Sequence, residues 1–522
     1  MIYLADAVQM KSIDQCAMEE YGIPSMVLME RAALAFSNVL MERESAGRQI
    51  LIIYGSGNNG GDGLAAGRIL SENGYQVSLL FVGNEEHASE QLRQQSAIVR
   101  KMKLLMLRFS KEDASSREAV DKTKAVIESA DVIVDAIFGV GLNREITGHY
   151  RDVIDWINES AAVKYAMDIP SGIHAGIGHI LQCAVRADVT VTFGVGKKGL
   201  VLYPGANYAG EVIIKDVGFP GQAVKREAIR WKLLEKSDLY GLLERKRHSN
   251  KGTYGRVLVI AGSRTMSGAA YFSAMAAYRM GVGLVKIVSE VHNEGVLRTL
   301  LPEALFSFYD ETTEIEELLE KELSWADAVV VGPGLSLSDT AVSIVRNVLT
   351  MSRCPCVVDA DAITILAGFS KEEQKDFLGK ENLVFTPHVK EMAVLLGKEV
   401  SYVAQNLYRL SSLLPELGGI LVCKDAATIT TGEEGTYVNT LGTNGLATGG
   451  SGDILTGVLA GIYAQRKDSW KENYLYDTAR GVSFHGLCGQ YAARRKSESS
   501  MLSRDTLDSI SEAAKEIMSK QE

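Results

Sequence analysis

Short apolar runs alternate with amphipathic stretches along the whole chain. Residues 49–54, 76–82, 130–136 and 163–167 are runs of strand length, rich in Val, Ile and Leu and bounded by polar or glycine-containing turns. Between them, residues 86–102 and 117–129 repeat apolar positions every three to four residues, as one face of a helix does. That alternation predicts βαβ units and a mainly parallel sheet, an α/β fold class. The pattern breaks near Gly218-Phe219-Pro220-Gly221, after a short run at 211–214. A charged helical stretch and the polar segment 245–253 follow, and the alternation restarts at 256–261. It continues through strand-like runs at 283–288, 328–331, 356–359, 383–386 and 419–423. A boundary at about residue 221 is therefore expected, giving domains 1–221 and 222–522. The length agrees: 522 residues exceed the roughly 100–200 that one core usually serves.

Composition changes this picture little. An apolar fraction of 46% and a charged fraction of 23% are those of a soluble globular protein. The net charge of −10 disfavours polyanions, and the short basic run Lys246, Arg247, His248 and Lys251 reads as a solvated linker, so no nucleic-acid partner is expected. No apolar run reaches the roughly 18 residues of a membrane span, so no membrane partner is expected. Residues 1–14 are acidic and polar where a signal peptide needs a basic start and an apolar stretch, and a cytoplasmic location is expected. Cys16, Cys183, Cys354, Cys356, Cys423 and Cys488 read as buried free thiols in a reducing compartment. Cys354-Pro-Cys356 is too tightly spaced for a zinc site and has no histidine pair.

The chemistry gathers at the ends of predicted strands. Tyr54-Gly55-Ser56-Gly57-Asn58-Asn59-Gly60-Gly61-Asp62-Gly63 follows one strand and leads into a helix expected over 64–72. Glycines let backbone approach a phosphate, and a helix N-terminus offers free N–H groups. Asn58, Asn59 and Asp62 add side-chain ligands that a dinucleotide turn does not need, and the spacing departs from G-x-G-x-x-G. A ligand-free Asn/Gly turn is the plainer alternative. Two further strand ends carry Asp135-Ala136-Ile137-Phe138-Gly139-Val140-Gly141-Leu142-Asn143-Arg144 and Asp168-Ile169-Pro170-Ser171-Gly172. An aspartate ending a strand before a glycine loop suits catalysis or cation binding, with helix capping as the alternative for each alone.

Taken in order, these motifs resemble the NAD(P)H-hydrate epimerases over about the first 220 residues. The resemblance implies a Rossmann-like three-layer domain and a potassium ion held by Asn59, Asp135 and Ser171. It implies substrate contacts from Asn58, Asn59, Gly60, Gly61 and Asp62, from Gly139, Val140, Gly141, Leu142, Asn143, Arg144 and Glu145, and from Asp168. Amide, carboxylate and hydroxyl oxygens suit potassium. Asp168 is the expected acid/base, with Asp135 second.

In the second half, Gly449-Gly450-Ser451-Gly452-Asp453 precedes an apolar helix expected over 454–464. Such an entry forms an anion hole for a transferring phosphoryl group, and the aspartate just inside can take a hydroxyl proton. Other strand ends carry Gly332-Pro333-Gly334-Leu335, Asp359-Ala360-Asp361-Ala362 and Thr386-Pro387-His388 with Glu391. Ser267-Gly268-Ala269-Ala270 opens a helix. Asp359 and Asp361 as caps, and a structural His388, are the bland readings.

This half resembles the ribokinase-like fold, and within it the NAD(P)H-hydrate dehydratases. The resemblance implies substrate contacts from Ala269 or Ala270, Gly334, His388 and Asp453. It implies adenine-nucleotide contacts from Lys424, Asp425, Ala426, Ala427, Thr428 and Gly452, with magnesium accompanying ADP or ATP. Two positions depart from the family pattern: Asp425 stands where glycine is usual, and Val389-Lys390 stand where Pro-Gly is usual. A carboxylate beside a nucleotide weakens binding unless it points away.

The implied activity is a bifunctional repair: the first half interconverts the R and S hydrates of NADH and NADPH (NADHX and NADPHX), and the second dehydrates the S form with ADP or ATP as phosphoryl donor. Asp453 would deprotonate the substrate hydroxyl, and the ring nitrogen would then expel phosphate. A homo-oligomer is expected. Two alternatives remain at this point: a small-molecule kinase of the ribokinase-like fold, and a first half that only binds nucleotide or assembles.

Overall fold

A computed structural model describes residues 1–245 and 247–519; Lys246 of the basic run and residues 520–522 lie outside them. The chain forms two compact units, Ile2–Trp231 and Lys232–Glu522 with Met1.

The first unit holds a seven-stranded sheet in the order Leu105–Arg108, Gln76–Phe81, Gln49–Tyr54, Val132–Ala136, Val163–Met167, Val189–Phe193, Glu211–Lys215, parallel throughout. Successive residues of Gln49–Tyr54 point to opposite faces, and both faces are covered. Ile50 and Ile52 pack with Phe36, Leu64 and Leu70, while Leu51 and Ile53 pack with Ile127, Ile154 and Ile157. Burial on both faces explains why these strands are continuous apolar runs and not alternating ones. Strand order reverses between Gln49–Tyr54 and Val132–Ala136, so the segments after Tyr54 and Ala136 flank the crevice where such sheets bind ligands. Helix Gly221–Arg226 belongs here: Ala223 and Ile229 pack with Ala5, Met10, Ile13 and Val195.

The sheet of the second unit runs Leu305–Tyr309, Leu284–Glu290, Arg256–Ile260, Ala328–Val331, Cys356–Val358, Leu383–Phe385, Ile420–Cys423 in parallel, then adds the antiparallel pair Thr428–Gly432 and Gly435–Asn439. The order reverses between Arg256–Ile260 and Ala328–Val331. Helix Ser451–Gln465 is apolar on all sides because it is buried on all sides. Gly457 is needed where it meets helix Ser267–Arg279, since a Cβ there would stand 2.1 Å from the Ser273 carbonyl oxygen.

Both units are thus α/β with largely parallel sheets. The helices differ in their starts. The expected helix 64–72 begins six residues earlier, at Asn58–Glu72, and the expected helix 454–464 begins at Ser451. Cys356, Cys423 and Cys488 are buried, but Cys16, Cys183 and Cys354 are only half-buried; all six are free. Among the described residues no helix is long and apolar enough to cross a membrane.

Candidate active sites

The first unit opens a cavity of about 940 Å³ at its crevice, lined among others by Asn58, Asn59, Asp62, Gly139, Val140, Gly141, Leu142, Asn143, Arg144 and Asp168. Three of the substrate contacts expected from the sequence stand apart from this wall. Gly60 and Gly61 are buried inside helix Asn58–Glu72, where a Cβ on Gly60 would lie 2.2 Å from the Gly55 carbonyl oxygen and one on Gly61 2.6 Å from the Met29 methyl. Their lack of a side chain serves close packing. Glu145 is exposed and outside the cavity lining.

Asp135 and Ser171 lie beneath the cavity, fully buried. Ser171 Oγ donates to Asp135 Oδ1 at 2.6 Å, Ser171 N to Oδ2 at 2.7 Å and Ile137 N to Oδ1 at 3.2 Å. Burial nevertheless raises the Asp135 carboxyl to about 6, against the pull of those hydrogen bonds. No described lysine or arginine forms an ion pair with it. Close by, the Asn59 amide sits within 3.6 Å of a Cβ built on Gly139, and its Nδ2 is buried without a partner. The Asp135 carboxylate without a cation, the Ser171 hydroxyl oxygen and the Asn59 amide oxygen are oxygen donors of the kind a monovalent cation takes.

Asp168 ends strand Val163–Met167 with φ of +66°, a region non-glycine residues avoid, and Ile169 N closes a tight turn onto Met167 O at 2.8 Å. Its carboxylate is held firmly: Oδ1 accepts from Lys197 Nζ at 2.7 Å, Thr192 Oγ1 at 3.0 Å and Phe193 N at 3.2 Å. The Lys197 side chain is 0% exposed and also donates to Phe193 O. A fully buried lysine is costly unless paired, so its burial argues for a task. Two more carboxyls face this pair. Burial, then the charges of Asp168 and Asp14, push Asp62 well above the ordinary carboxylate range. Burial, then Asp168, raise Asp14 to about 6 against Lys197. Sequence reading missed Asp14, which lies on an amphipathic helix (Ala7–Glu19), and Lys197, which follows the strand Val189–Phe193. The signal for Lys197 was there: a lysine between glycines at a strand end, in Gly196-Lys197-Lys198-Gly199.

In the second unit, Asp359 ends strand Cys356–Val358 and is almost fully buried. Lys424 Nζ meets its Oδ1 at 2.6 Å and Thr386 Oγ1 donates to the same oxygen at 2.7 Å. Burial works against the Lys424 charge, yet Asp359 and Glu391 hold its ammonium above the ordinary lysine range. The next residue, Ala360, takes φ of +50°. Gly450, with φ of +91°, turns the chain into helix Ser451–Gln465, and nothing stands within 4 Å of a Cβ on Gly449. Gly452 lies directly against the ion pair, 3.3 Å from Lys424 Nζ and 3.6 Å from Asp359 Oδ2 measured from a Cβ. Asp453, one residue on, is half-buried; burial first, then the charge of Asp359, raise it to about 6 against the pull of Lys424. His485 is buried behind this entry, 3.5 Å from Ser451 Oγ, and burial lowers it to about 4, leaving it neutral.

His388 caps helix Val389–Leu396: its Nδ1 accepts from Glu391 N at 3.1 Å, and Glu391 Oε2 accepts from His388 N at 2.9 Å. Accepting at Nδ1 leaves the proton on Nε2, which faces Glu391 Oε1 at 3.2 Å. The capping box explains how the helix starts well on Val389-Lys390. Gly334 and Ala269 approach closely, 3.0 Å between a Cβ on the one and the Cβ of the other. Ala269 is half-buried at the surface, whereas Ala270 is fully buried in the core, behind any ligand. Asp425 and Ala426 are exposed, Ala427 is buried, and Thr428 Oγ1 donates to Asp425 O at 3.1 Å.

Comparison with known proteins bears on both units. Residues 25–199 match the family described as YjeF-related protein N-terminus, and residues 257–512 match the NAD(P)H-hydrate dehydratase family. The bifunctional NAD(P)H-hydrate repair enzyme of Moorella thermoacetica is 34% identical, over 97% of this chain and 96% of that protein. The enzyme of the same description from Coxiella burnetii is 32% identical, over 95% and 96%. Among solved structures, a ribokinase-like superfamily protein from Enterococcus faecalis is 30% identical with a TM-score of 0.48, over 55% of this chain and 96% of that one.

Proposed function

The chain belongs to the family of bifunctional NAD(P)H-hydrate repair enzymes, with an epimerase first unit and an ADP- or ATP-dependent dehydratase second unit, and on that footing we propose how its own residues divide the work. The observation that carries the assignment is Asp453. It is an unpaired carboxylate raised to about 6, at the first turn of a buried helix whose entry is open backbone.

In the second unit, Asp453 takes the proton of the substrate hydroxyl while the N–H groups at residues 449–452 hold the phosphoryl group in transfer. The ADP or ATP lies against residues 424–428 and Gly452. Magnesium neutralises phosphate charge there. Such an ion would be held there through the nucleotide's phosphates. Phosphorylation makes the hydroxyl a leaving group; the lone pair of the ring nitrogen expels phosphate to give a C=N bond, and loss of a proton from the neighbouring ring carbon to the released phosphate then restores the neutral dihydronicotinamide. His388, fixed by Glu391, and Ala269 beside Gly334 bound the substrate.

In the first unit the cavity takes either hydrate epimer. Asn58 and the segment 139–144 bind it, and Asp168 faces the reacting carbon. Asn59, Asp135 and Ser171 hold a potassium ion, which offsets the negative charge of the substrate's pyrophosphate and of Asp135. Potassium replaced by lithium at equal ionic strength should slow epimerisation while leaving dehydration unchanged.

The test is absorbance in the reduced-nicotinamide band, with purified protein added to both hydrate epimers, magnesium, and ADP or ATP. Complete conversion of both epimers is the expected result. Conversion of one epimer only would remove the epimerase half of the reading. No conversion with either nucleotide, or release of a stable phosphorylated product, would overturn the dehydratase half.

A further inference from the structure

Helix Ala7–Glu19 brings to the first unit's cavity a carboxyl group that the assignment above leaves without a task. Asp14 lines that cavity together with Asp62 and Asp168, and precedes the family-matched residues 25–199. It is half-buried and takes no hydrogen bond from another described residue. The charged groups facing it come from each neighbouring element. Asp62 comes from helix Asn58–Glu72, Asp168 from the end of strand Val163–Met167, and Lys197 from the segment after strand Val189–Phe193. Lys11 stands one turn earlier on its own helix. Lys197 is committed to Asp168 at 2.7 Å, and its neighbour Lys198 to Asp6 at 3.0 Å. Asp14 thus stands beside an ion pair that is already complete, open to whatever fills the cavity.

Resting on the epimerase reading, we infer that Asp14 is the general acid–base of the epimerisation: it protonates the hydroxyl that leaves the hydrated ring and recovers a proton from the water that returns, while Lys197 keeps Asp168 as the anion facing the ring between the two events. The hydroxyl sits on a carbon bonded to the ring nitrogen. As the C–O bond breaks, the Asp14 proton passes to the departing oxygen and water is freed, while the nitrogen lone pair forms a C=N bond. The ring carbon becomes planar and the ring cationic, with the Asp168 carboxylate beside it. Water then adds to either face, the C=N electron pair returns to nitrogen, and the proton shed by the water goes back to Asp14, directly or through Asp62. Nothing is oxidised or reduced. A group with this double duty must exist in both forms near neutrality, and burial with the Asp168 charge places Asp14 there, at about 6. Asp62, also pushed upward by burial and by the charges of Asp168 and Asp14, lines the same cavity and suits a relay.

The experiment starts from one purified epimer of NADHX and follows its interconversion chromatographically with the full chain, without nucleotide, from pH 5 to 9. The wild-type rate should fall as pH rises through about 6, as Asp14 loses its proton. Asp14→Asn should lower kcat roughly 100-fold or more, change KM less than about threefold, and erase that limb of the pH profile. Asp14→Glu should restore part of the rate, and ADP-dependent dehydration by the same variants should be unchanged. A wild-type kcat in Asp14→Asn, or a raised KM alone, would overturn the inference. So would a loss that Asp14→Glu does not rescue and that comes with a lost unfolding transition of the first unit. If the wild-type chain interconverts nothing, the epimerase reading itself fails, and this inference with it.

Discussion

Each unit buries an aspartate–lysine pair at the carboxyl edge of its sheet, yet the pairs serve opposite ends. In the first, Lys197 binds the reactive candidate itself, Asp168, with a fully buried side chain that also reaches Phe193 O. In the second, Lys424 binds Asp359 and leaves the reactive candidate, Asp453, as the unpaired neighbour at about 6. Backbone strain follows the pair in both cases: φ is +66° at Asp168 and +50° at Ala360, next to Asp359. A carboxylate held by a buried lysine is fixed in place and can face a cationic ring. A carboxylate beside a completed pair is one whose proton is exchangeable. On the reading proposed above, the paired Asp168 gives electrostatic stabilisation in the first site, while the unpaired neighbours of each pair, Asp14 and Asp453, exchange protons.

The largest effects should come from removing each aspartate. Asp453→Asn should cut dehydration by about 10³-fold or more and leave epimerisation intact, and Asp168→Asn should do the reverse. Epimer chromatography and the nucleotide-dependent absorbance assay read the two separately. Loss of both activities from either single variant would end the division of labour.

The same two variants should differ in the sign of their effect on stability. Asp168→Asn leaves Lys197 buried with no anion, which should destabilise the first unit by about 3 kcal/mol. Asp453→Asn should stabilise the second unit at pH 8, on the order of 2 kcal/mol. The reason is that the folded state holds the Asp453 proton up to about 6, while the unfolded chain releases it near 3.8. The fold therefore binds more protons between those values, stability falls as pH rises through them, and an amide removes that loss. Below pH 3.8 the advantage should vanish. Thermal melts at pH 4 and 8 check both statements.

A subtler effect tests the neighbour arrangement. Lys424 pulls the Asp453 carboxyl down, so Lys424→Met should move the acidic limb of the dehydration pH profile from near 6 to a higher pH. A limb that stays put would mean that Lys424 acts on the nucleotide alone.

Much of this architecture was legible in the sequence because strands buried on both faces are short apolar runs, and the strand ends at Asp135, Asp168 and Asp359 fell where expected. What escaped was set by tertiary contact. Glycines usually weaken a helix, so residues 58–63 read as a loop. Here Gly60 and Gly63 are required inside helix Asn58–Glu72, because the helix lies against the Gly55 carbonyl and the Ala136 side chain. Val189–Phe193 alternates like a half-exposed strand but is buried throughout, its threonines satisfied by Ala209 O and Asp168. With that strand unread, Lys197 had no position, and no local pattern marks a lysine for complete burial.

The smallest effect concerns Asp425, which the sequence reading expects to stand where glycine is usual. Its side chain is exposed, and its carbonyl rather than its carboxylate holds the turn, through Thr428 Oγ1. An exposed charge near a phosphate acts through water and salt, worth about 0.5–1 kcal/mol, so Asp425→Gly should tighten nucleotide binding only about two- to fivefold, and less at high salt. Titration calorimetry with ADP at low and high ionic strength measures both. A gain well beyond tenfold would mean that the carboxylate reaches the phosphates. The completed Asp359–Lys424 pair would then no longer be the dominant charge at the nucleotide's end of the site, and the contrast between the two units would have to be redrawn around Asp425.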